Sequence, residues 1–392
     1  MSAEDNNKIK RKIMVITGTR SEYGILKPIL NGIKKDQRLK LSILVTGMHL
    51  SPEFGNTYKD LISDGFFIDY TVDSLLSGDS KKAMGKSVGI AVTGIIDILD
   101  VDDPDMVLVC GDRGEAFAGA IASAYLGKPV IHLFGGDTAY GSNIDDSIRH
   151  AITKISHIHL TATKNHKQRI LKLGEEPWRV FHVGNPAIDT AFKIKNNPRA
   201  EVFEKYKIDK RESLILAVYH PTTIHSQHAG KEVNEILDAL IEIDKQTIFI
   251  YPNADSGGRE IIETIKYKKK QKTISFFKSL PHEDFMSLMC FADIMIGNSS
   301  SLIIETPTFS LPAINVGIRQ KNRERSNNII DVKCKKEEII NATNKIFNQI
   351  KLGENKNYYE NPYGDGKATE RIIKIINKIK IDNKLIYKKI TY

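Results

Sequence analysis

Short apolar runs rich in β-branched residues recur along the chain, separated by stretches of helical periodicity. In the first half, KIMVIT (12–17), LSILVT (41–46), MVLVC (106–110), PVIHLF (129–134) and HIHLTA (157–162) read as strands. Runs this continuously apolar suit parallel strands covered on both faces. Between them, 80–100, 114–126 and 145–155 carry helical patterns. The alternation pauses in a polar, lysine-rich stretch at 193–212. It then resumes with SLILAVY (213–219), QTIFIY (246–251), TISFF (273–277), DIMIG (293–297) and LPAIN (311–315). Repeated strand–helix alternation predicts an α/β fold of two Rossmann-like doubly wound domains facing a central cleft. The reading divides the chain into a polar tail (1–11), an N-terminal domain (12–192), a linker region (193–212), a C-terminal domain (213–366) and a final helix and tail (367–392) placed to pack back on the N-terminal domain.

One segment combines both signals. In LFGGDTAYGSNIDDSIRHAI (133–152) a glycine-rich turn feeds a helix on which Ile144, Ile148, Ile152 and Ile155 recur at helical spacing, predicting a buried face. Asp145, Asp146, Arg149 and His150 lie off that stripe, with Asp145 and Arg149, and Asp146 and His150, four residues apart. Such a cluster is either a self-capping helix entrance or part of a reactive site.

Composition narrows the class. The 392 residues, 41% hydrophobic and 27% charged, fit a globular protein too long for one ordinary core. The start, MSAEDNNKIKRK, lacks a signal peptide's apolar run, and no segment sustains the apolar length of a membrane span. Three scattered cysteines, Cys110, Cys290 and Cys334, form no CxxC and fit a reduced, cytoplasmic protein, with Cys110 and Cys290 read as core residues. The net charge of +9 sits largely in stretches such as KYKKKQK (266–272), with no aromatic-interleaved basic module, so neither a nucleic-acid nor a membrane partner is expected.

In open parallel sheets ligands gather beyond the carboxyl ends of the strands, so the residues after each strand carry the functional information. TGTRSEYG (17–24) follows the first strand; its amides and Arg20 suit an anion, or Arg20 is a surface residue of a tight turn. It is not GxGxxG, and the chain has no Walker lysine pattern, so no cofactor is expected. GDRGEA (111–116) places Asp112 and Arg113 at a strand end with Glu115 a turn later. Asp112 there either handles a proton or caps the helix beginning at Gly114. In the second half His220 follows a strand in YHP, and Asn253 and Asp255 follow the next in YPNADSGGRE. GNSSSLIIE (297–305) supplies Ser299, Ser300 and Ser301 at a helix start, with Glu305 inside; one serine suffices for capping, whereas three hydroxyls suit a diphosphate and the carboxylate suits a ribose. Arg319 and Arg323 in NVGIRQKNRER add phosphate or base contacts. His157 with His159, and His225 with His228, lack an evident third ligand, so no metal site is expected.

Read in order, TGTRSEYG, GNTY (55–58), GDRGEA, IDDSIRHAITK (144–154), HP (220–221), PNADSGGRE, GNSSSLIIE and GIRQKNRE closely resemble the hydrolysing UDP-N-acetylglucosamine 2-epimerases of sialic-acid and related nonulosonic-acid biosynthesis, from about residue 12 to about 380. The resemblance implies a glycosyltransferase-B-like arrangement, a UDP-sugar as the small-molecule partner, a homo-oligomer (dimer or tetramer), and release of UDP with the free C2 epimer through a glycal. It assigns nucleotide binding to Arg20, His220, Asn253, Ser299, Ser300, Glu305 and Arg319, with Ser301 and Asp255 beside them. Asp112 and Asp145 match acids implicated in the chemistry. Arg113 is expected to position substrate, and His150 lies one turn inside the adjoining helix. The departure is HLFGGD: related enzymes carry HIEGGE, whose first glutamate is considered catalytic, where this chain has Phe134, and Asp137 replaces the second acid. Asp137 or Glu115 then takes over the role, or the substrate and mechanism differ, or activity is lost. The alternatives are a non-hydrolysing epimerase, a glycosyltransferase of the same architecture and a catalytically silent UDP-sugar-binding protein.

Overall fold

The computed structural model describes residues 10–77, 80–138, 144–221, 228–252, 258–268, 271–278, 280–353 and 359–392. Among these, thirteen strands form two all-parallel sheets. The first contains β1 (Arg11–Thr17), β2 (Leu39–Thr46), β3 (Tyr70–Val72), β4 (Met106–Cys110), β5 (Val130–Leu133), β6 (Ile158–Thr161) and β7 (Val180–His182), in the order β3-β2-β1-β4-β5-β6-β7. The second contains β8 (Leu214–Val218), β9 (Gln246–Ile250), β10 (Ile274–Phe277), β11 (Ile294–Gly297), β12 (Ala313–Val316) and β13 (Ile329–Val332), in the order β10-β9-β8-β11-β12-β13. Each order reverses direction between its first and fourth strands, the switch point at which doubly wound sheets open a crevice.

Each sheet is a separate compact unit, and the chain passes from one to the other between Asp189 and Thr190, inside the helix Pro186–Asn196. In β1 the strand period sorts side chains to two cores. Ile13 and Val15 join Leu26, Ile29, Leu30 and Ile33 of the helix Arg20–Lys35. Met14 and Ile16 join Ala91, Ile95 and Leu99 of the helix Lys81–Asp102 and the alanines of the helix Gly114–Tyr125. In the second unit Ile215 and Ala217 of β8 pack with the helices Ala229–Ile243 and Lys336–Lys351.

Three features differ from the sequence reading. Strands β3, β7 and β13 had no counterpart in it: they sit at sheet edges, are three or four residues long, and are only partly buried. The stretch 193–212 is not a free linker. It ends one helix at Asn196 and forms the short helix Val202–Lys205, with Val202, Tyr206 and Ile208 buried and Asp284 bound by Lys205 and the Tyr206 hydroxyl, each at 2.6 Å. The isoleucine stripe of the helix Asp145–Ile155 holds only in part: Ile148, Ile152 and Ile155 pack on the core of the first unit, whereas Ile144 is 57% exposed, and Arg149 and Thr153 beside the stripe are buried as well.

From Lys367 the chain belongs to the first unit. The helix Ala368–Lys378 buries Ile372 and Ile376 against the helix Arg20–Lys35, where a Cβ on Gly32 would lie 2.8 Å from Ile373 Cγ1. Beyond it, the fully buried Arg179 donates to Lys384 O and Leu385 O at 2.7 Å, and to Tyr387 O at 3.3 Å. The Lys388 ammonium reaches Lys154 O at 2.8 Å, Ser156 O at 2.6 Å and Glu175 Oε2 at 2.8 Å. Those carbonyls end the helix Asp145–Ile155, so the tail supplies the positive charge that a helix C-terminus favours.

Candidate active site

At the first switch point the turn after β1 begins a helix with a capping-box sequence, Thr19-Arg20-Ser21-Glu22. Thr19 Oγ1 accepts from Glu22 N at 3.4 Å, but the Glu22 carboxylate reaches one residue further back and accepts from Gly18 N at 2.8 Å. Glu115, from the first turn after β4, covers the other side of the same glycine: a Cβ on Gly18 would lie 2.7 Å from Glu115 Cγ, and one on Gly47 would lie 2.4 Å from Glu115 Oε1. Glycines at both positions make room for that side chain. Burial, then the neighbouring Glu115, pushes the Glu22 carboxyl up to about 8. Arg113 holds Nε 3.6 Å from Glu115 Oε2 and Nη2 3.4 Å from Met48 Sδ. Arg20 stands at the mouth of this turn, half exposed, with Nε 3.2 Å from Asp60 Oδ2.

Asp112 does not cap the following helix; Arg113 occupies the N-cap position and makes no side-chain cap. Asp112 instead accepts from Arg149, whose guanidinium also donates from Nη1 to Phe134 O at 3.0 Å. Arg149 is therefore buried although it lies beside, not on, the isoleucine stripe of its helix. Phe134 ends β5 with φ of 68°, the left-handed region that costs a bulky residue about 1 kcal/mol or more. Its N–H bonds Leu160 O at 3.0 Å and its ring packs at the edge of the core shared with Tyr23 and Leu133. Two residues on, Gly136 O accepts from Arg169, and Asp137 Oδ1 lies 3.3 Å from His166 Nε2. Asp145 opens the next helix, where burial and then Asp112 raise its carboxyl above the usual range, against Arg113 and Arg149. His150, one turn on, is held below the usual imidazole range by burial, with Asp146 opposing.

The second switch point lies between β8 and β11. His220 N donates to Asn298 Oδ1 at 2.7 Å and His220 O accepts from Asn298 Nδ2 at 2.8 Å, a two-bond clasp joining the ends of those strands. Asn298 O in turn accepts from Arg319 Nη1 at 3.0 Å and Gln320 Nε2 at 2.8 Å. Burial, then Arg319, lowers the His220 imidazole to about 3, so it is neutral at physiological pH. Ser299 caps the helix Ser300–Ile304, with Ser300 and Ser301 half-buried on its first turn. Glu305 closes that helix, buried, with Oε2 unpartnered; burial lifts its carboxyl to about 7 against a bond from Ser301.

The structure thus gathers Asp112, Arg113, Glu115 and Asp145 in the first unit, with Arg20 and His150 at the borders and Asp137 on His166. In the second unit it gathers His220, Ser299, Ser300, Ser301, Glu305 and Arg319. Asn253 and Asp255 lie outside the described residues, as does His225. Three polar residues of these clusters escaped the sequence reading, Glu22, Asn298 and Gln320, while Arg149 was read in the cluster at its helix start without being assigned a role. Glu22 carried a signal, being the acid of a capping box directly after a strand. No group of three His, Cys, Asp or Glu positioned for a metal occurs among the described residues; His157 Nδ1 accepts from Val130 N at 3.1 Å, and His159 Nε2 pairs with Glu175 at 3.1 Å. No helix among them is long and apolar enough to cross a membrane.

Two Rossmann-type units, each with ionisable side chains at its switch point, define a double-Rossmann α/β protein of the kind that handles nucleotide-bearing substrates. The profile of the UDP-N-acetylglucosamine 2-epimerase family matches residues 31–377, and the chain belongs to that family. It is 35% identical over 378 residues (96% of this chain, 98% of the relative) to a hydrolysing UDP-N,N'-diacetylbacillosamine 2-epimerase of Legionella pneumophila. It is 39% identical over 354 residues (88% and 89%) to a hydrolysing GDP/UDP-N,N'-diacetylbacillosamine 2-epimerase of Campylobacter jejuni. Among solved structures, UDP-GlcNAc 2-epimerase from Neisseria meningitidis bound to UDP-GlcNAc shares the fold with a TM-score of 0.81 at 19% identity, covering 94% of this chain and all of that one.

Proposed function

We propose that this protein is a hydrolysing 2-epimerase that converts a UDP-2-acetamido sugar, either UDP-N-acetylglucosamine or a derivative such as a UDP-2,4-diacetamido-6-deoxy sugar, to the free C2 epimer and UDP. The observation that carries the reading is the group of Asp112, Glu115 and Asp145 around two arginines at the first switch point, in a chain of this family. The reaction removes the C2 proton and breaks the C1–O bond to UDP, giving a 2-acetamidoglucal. Water then adds its hydroxyl at C1 while a proton returns to C2 from the opposite face, so one water is consumed. Asp112, whose carboxylate accepts from Arg149, has the chemistry of the base; Asp145, with its raised proton affinity, has that of the acid. Arg113 and Arg20 supply positive charge toward the departing diphosphate. In the second unit Glu305 suits ribose hydroxyls, and Ser299, Ser300, Ser301, Arg319 and neutral His220 suit the uracil and phosphates, with Asn253 and Asp255 assigned there by the family pattern.

The names of the Legionella and Campylobacter relatives favour the diacetamido substrate, and an apolar Phe134 in place of an acid suits a sugar carrying a methyl group at C6. The test is incubation with each UDP-sugar in deuterium oxide and product analysis by NMR. A free epimer deuterated at C2, with stoichiometric UDP, is expected. Sugar still attached to UDP overturns hydrolysis, and tight UDP binding with no turnover of any candidate makes the protein a UDP-sugar binder. Light scattering on the same samples tests the expected homo-oligomer.

A further inference from the structure

The mechanism above leaves the buried Glu22 at the first switch point unused. We propose that Glu22 and Glu115 form a carboxylic acid–carboxylate pair sharing one proton, with Glu22 a positioning residue that fixes Glu115 toward Arg113. The proposal rests on the functional reading only for its consequence in turnover.

The two side chains meet around one glycine. Glu22 Oε2 takes the Gly18 N–H at 2.8 Å, and Glu115 lies against the α-carbon of the same residue, so closely that a Cβ there would fall 2.9 Å from Glu115 Cδ. Glu22 Oε1 is buried and bonds no donor. A carboxylate oxygen buried in this way is costly, whereas a hydroxyl directed at a neighbouring carboxylate is satisfied. Two ionised acids cannot share a site of low polarity, so the less exposed of them keeps the proton. Glu22 is the more enclosed; Glu115 has its outer oxygen 3.6 Å from the half-exposed Arg113. The raised proton affinity of Glu22, caused by burial and then by Glu115, agrees with this order.

The groups facing Glu22 come from each element packed around it. The turn after β4 brings Glu115, Arg113 and Asp112, and β4 itself brings the Cys110 thiol, pushed well above its ordinary range by burial and by Glu22. The segment Gly47–Leu50 brings His49, whose N–H bonds Gly18 O at 3.1 Å and whose imidazole burial lowers to about 4, so it adds no charge near neutrality. Arg149, which lowers the Cys110 thiol's affinity for its proton, faces the same pocket from the helix Asp145–Ile155. When Glu22 loses its proton the pair becomes doubly negative, and Glu115 is driven away from the position that Gly18 and Gly47 leave for it.

The experiment uses the full-length protein and its E22Q, E22L and E115Q variants, each checked for native tryptophan fluorescence. Infrared difference spectroscopy of wild type against E22Q is expected to show the carbonyl band of a protonated buried acid at neutral pH, titrating near pH 8 and absent from E22Q. In E115Q the band is expected to vanish at lower pH, because the like charge is gone. No such band, its persistence in E22Q, or an unchanged titration in E115Q overturns the pair. In turnover of the UDP-sugar, E22L is expected to lower kcat about tenfold or more. E22Q restores most of that loss and removes the alkaline decline of the wild-type pH profile. Identical alkaline limbs in wild type and E22Q overturn the positioning role. The infrared result is independent of activity: a wild-type band with the expected titration, beside no turnover of any UDP-sugar, supports the pair and refutes the functional reading alone.

Discussion

Replacing Arg149 with methionine tests how the acid cluster is held. The side chain is 5% exposed and joins two elements, giving one bond to the Phe134 carbonyl at the end of β5 and pairing with Asp112 beyond β4. Methionine approximates its apolar length but carries neither charge nor donor. Removing one member of a fully buried pair costs about 3–5 kcal/mol, because the partner is stranded. Asp112 is 24% exposed, so water recovers part of that and the lower end applies, about 3 kcal/mol. The unsatisfied Phe134 carbonyl adds about 1 kcal/mol. Asp112→Asn leaves a neutral amide facing Arg149 and is expected to cost about 1.5–3 kcal/mol. If the two side chains act as a pair, the double variant is less destabilised than the sum of the single ones, with a coupling of about 1–2 kcal/mol. The assay is urea unfolding followed by fluorescence of Trp178, the chain's single tryptophan, which lies in the first unit and reports that unit's transition. An Arg149→Met cost below about 1 kcal/mol, with additive behaviour in the cycle, refutes the view that this ion pair holds the two strand ends together.

Other outcomes follow from buried charges elsewhere. Arg179→Met strands the carbonyls of Lys384, Leu385 and Tyr387, so the tail should become open to limited proteolysis, with a loss of about 3–5 kcal/mol; a tail as resistant as wild type would contradict the latch. Glu305 binds its proton up to about pH 7. UDP affinity measured calorimetrically should therefore rise from about pH 6 to about pH 8 as the acceptor ionises, and Glu305→Gln should flatten that slope; an unchanged slope removes Glu305 from the nucleotide site. Burial and the neighbouring Glu115 push the Glu22 carboxyl from its ordinary value of 4.5 up to about 8, so the folded state binds the extra proton between those values. Its contribution to stability is complete below about pH 4.5, declines as pH rises, and is gone above about pH 8, a change of a few kcal/mol on the order of magnitude. Glu22→Gln should remove this decline in unfolding experiments across pH, and an identical profile in both proteins would exclude Glu22 as its source.

The buried strands were legible because short, nearly continuous runs of apolar and β-branched residues bounded by turn residues have few other homes in an α/β chain. β4 runs over the same residues in pattern and in structure, and β1, β8 and β11 differ by a residue or so. Three of the four edge strands were not, since Tyr70–Val72 and Val180–His182 are too short for a period to develop and Ile329–Val332 is only partly buried. Asp112 was legible as a strand-end acid, yet the choice between cap and ion pair depended on Arg149, thirty-seven residues later, entering the core. The spacing set Arg149 beside the isoleucine stripe and carried no sign that its two terminal nitrogens would be buried on Phe134 O and Asp112. Asn298 was hidden for a different reason. Its side chain does the work of a strand backbone, bonding His220 N and O, and no local sequence signal marks that use.

Phe134 stands where the resemblance drawn from the sequence leads one to expect a glutamate, and the surrounding structure shows what the position does without one. The work of this position is done largely by its backbone: the N–H serves Leu160, the carbonyl serves Arg149, and the left-handed φ aims both. None of that requires a carboxylate. Epimerisation through a glycal needs one group to take the C2 proton and another to return it on the opposite face. Asp112, Glu115 and Asp145 already exceed that number, and Glu22 stands behind Glu115. A fifth carboxyl at 134 would join four others around Arg113 and Arg149, further raising the proton affinity of those nearest to it. With phenylalanine there, Arg113 and Arg149 are shared among Asp112, Asp145 and the Glu22–Glu115 pair, with Asp112 bound to Arg149 and the Asp145 carboxyl raised above its ordinary range. In the proposed mechanism the acid that the family resemblance leads one to expect at 134 is therefore not required by the proton count.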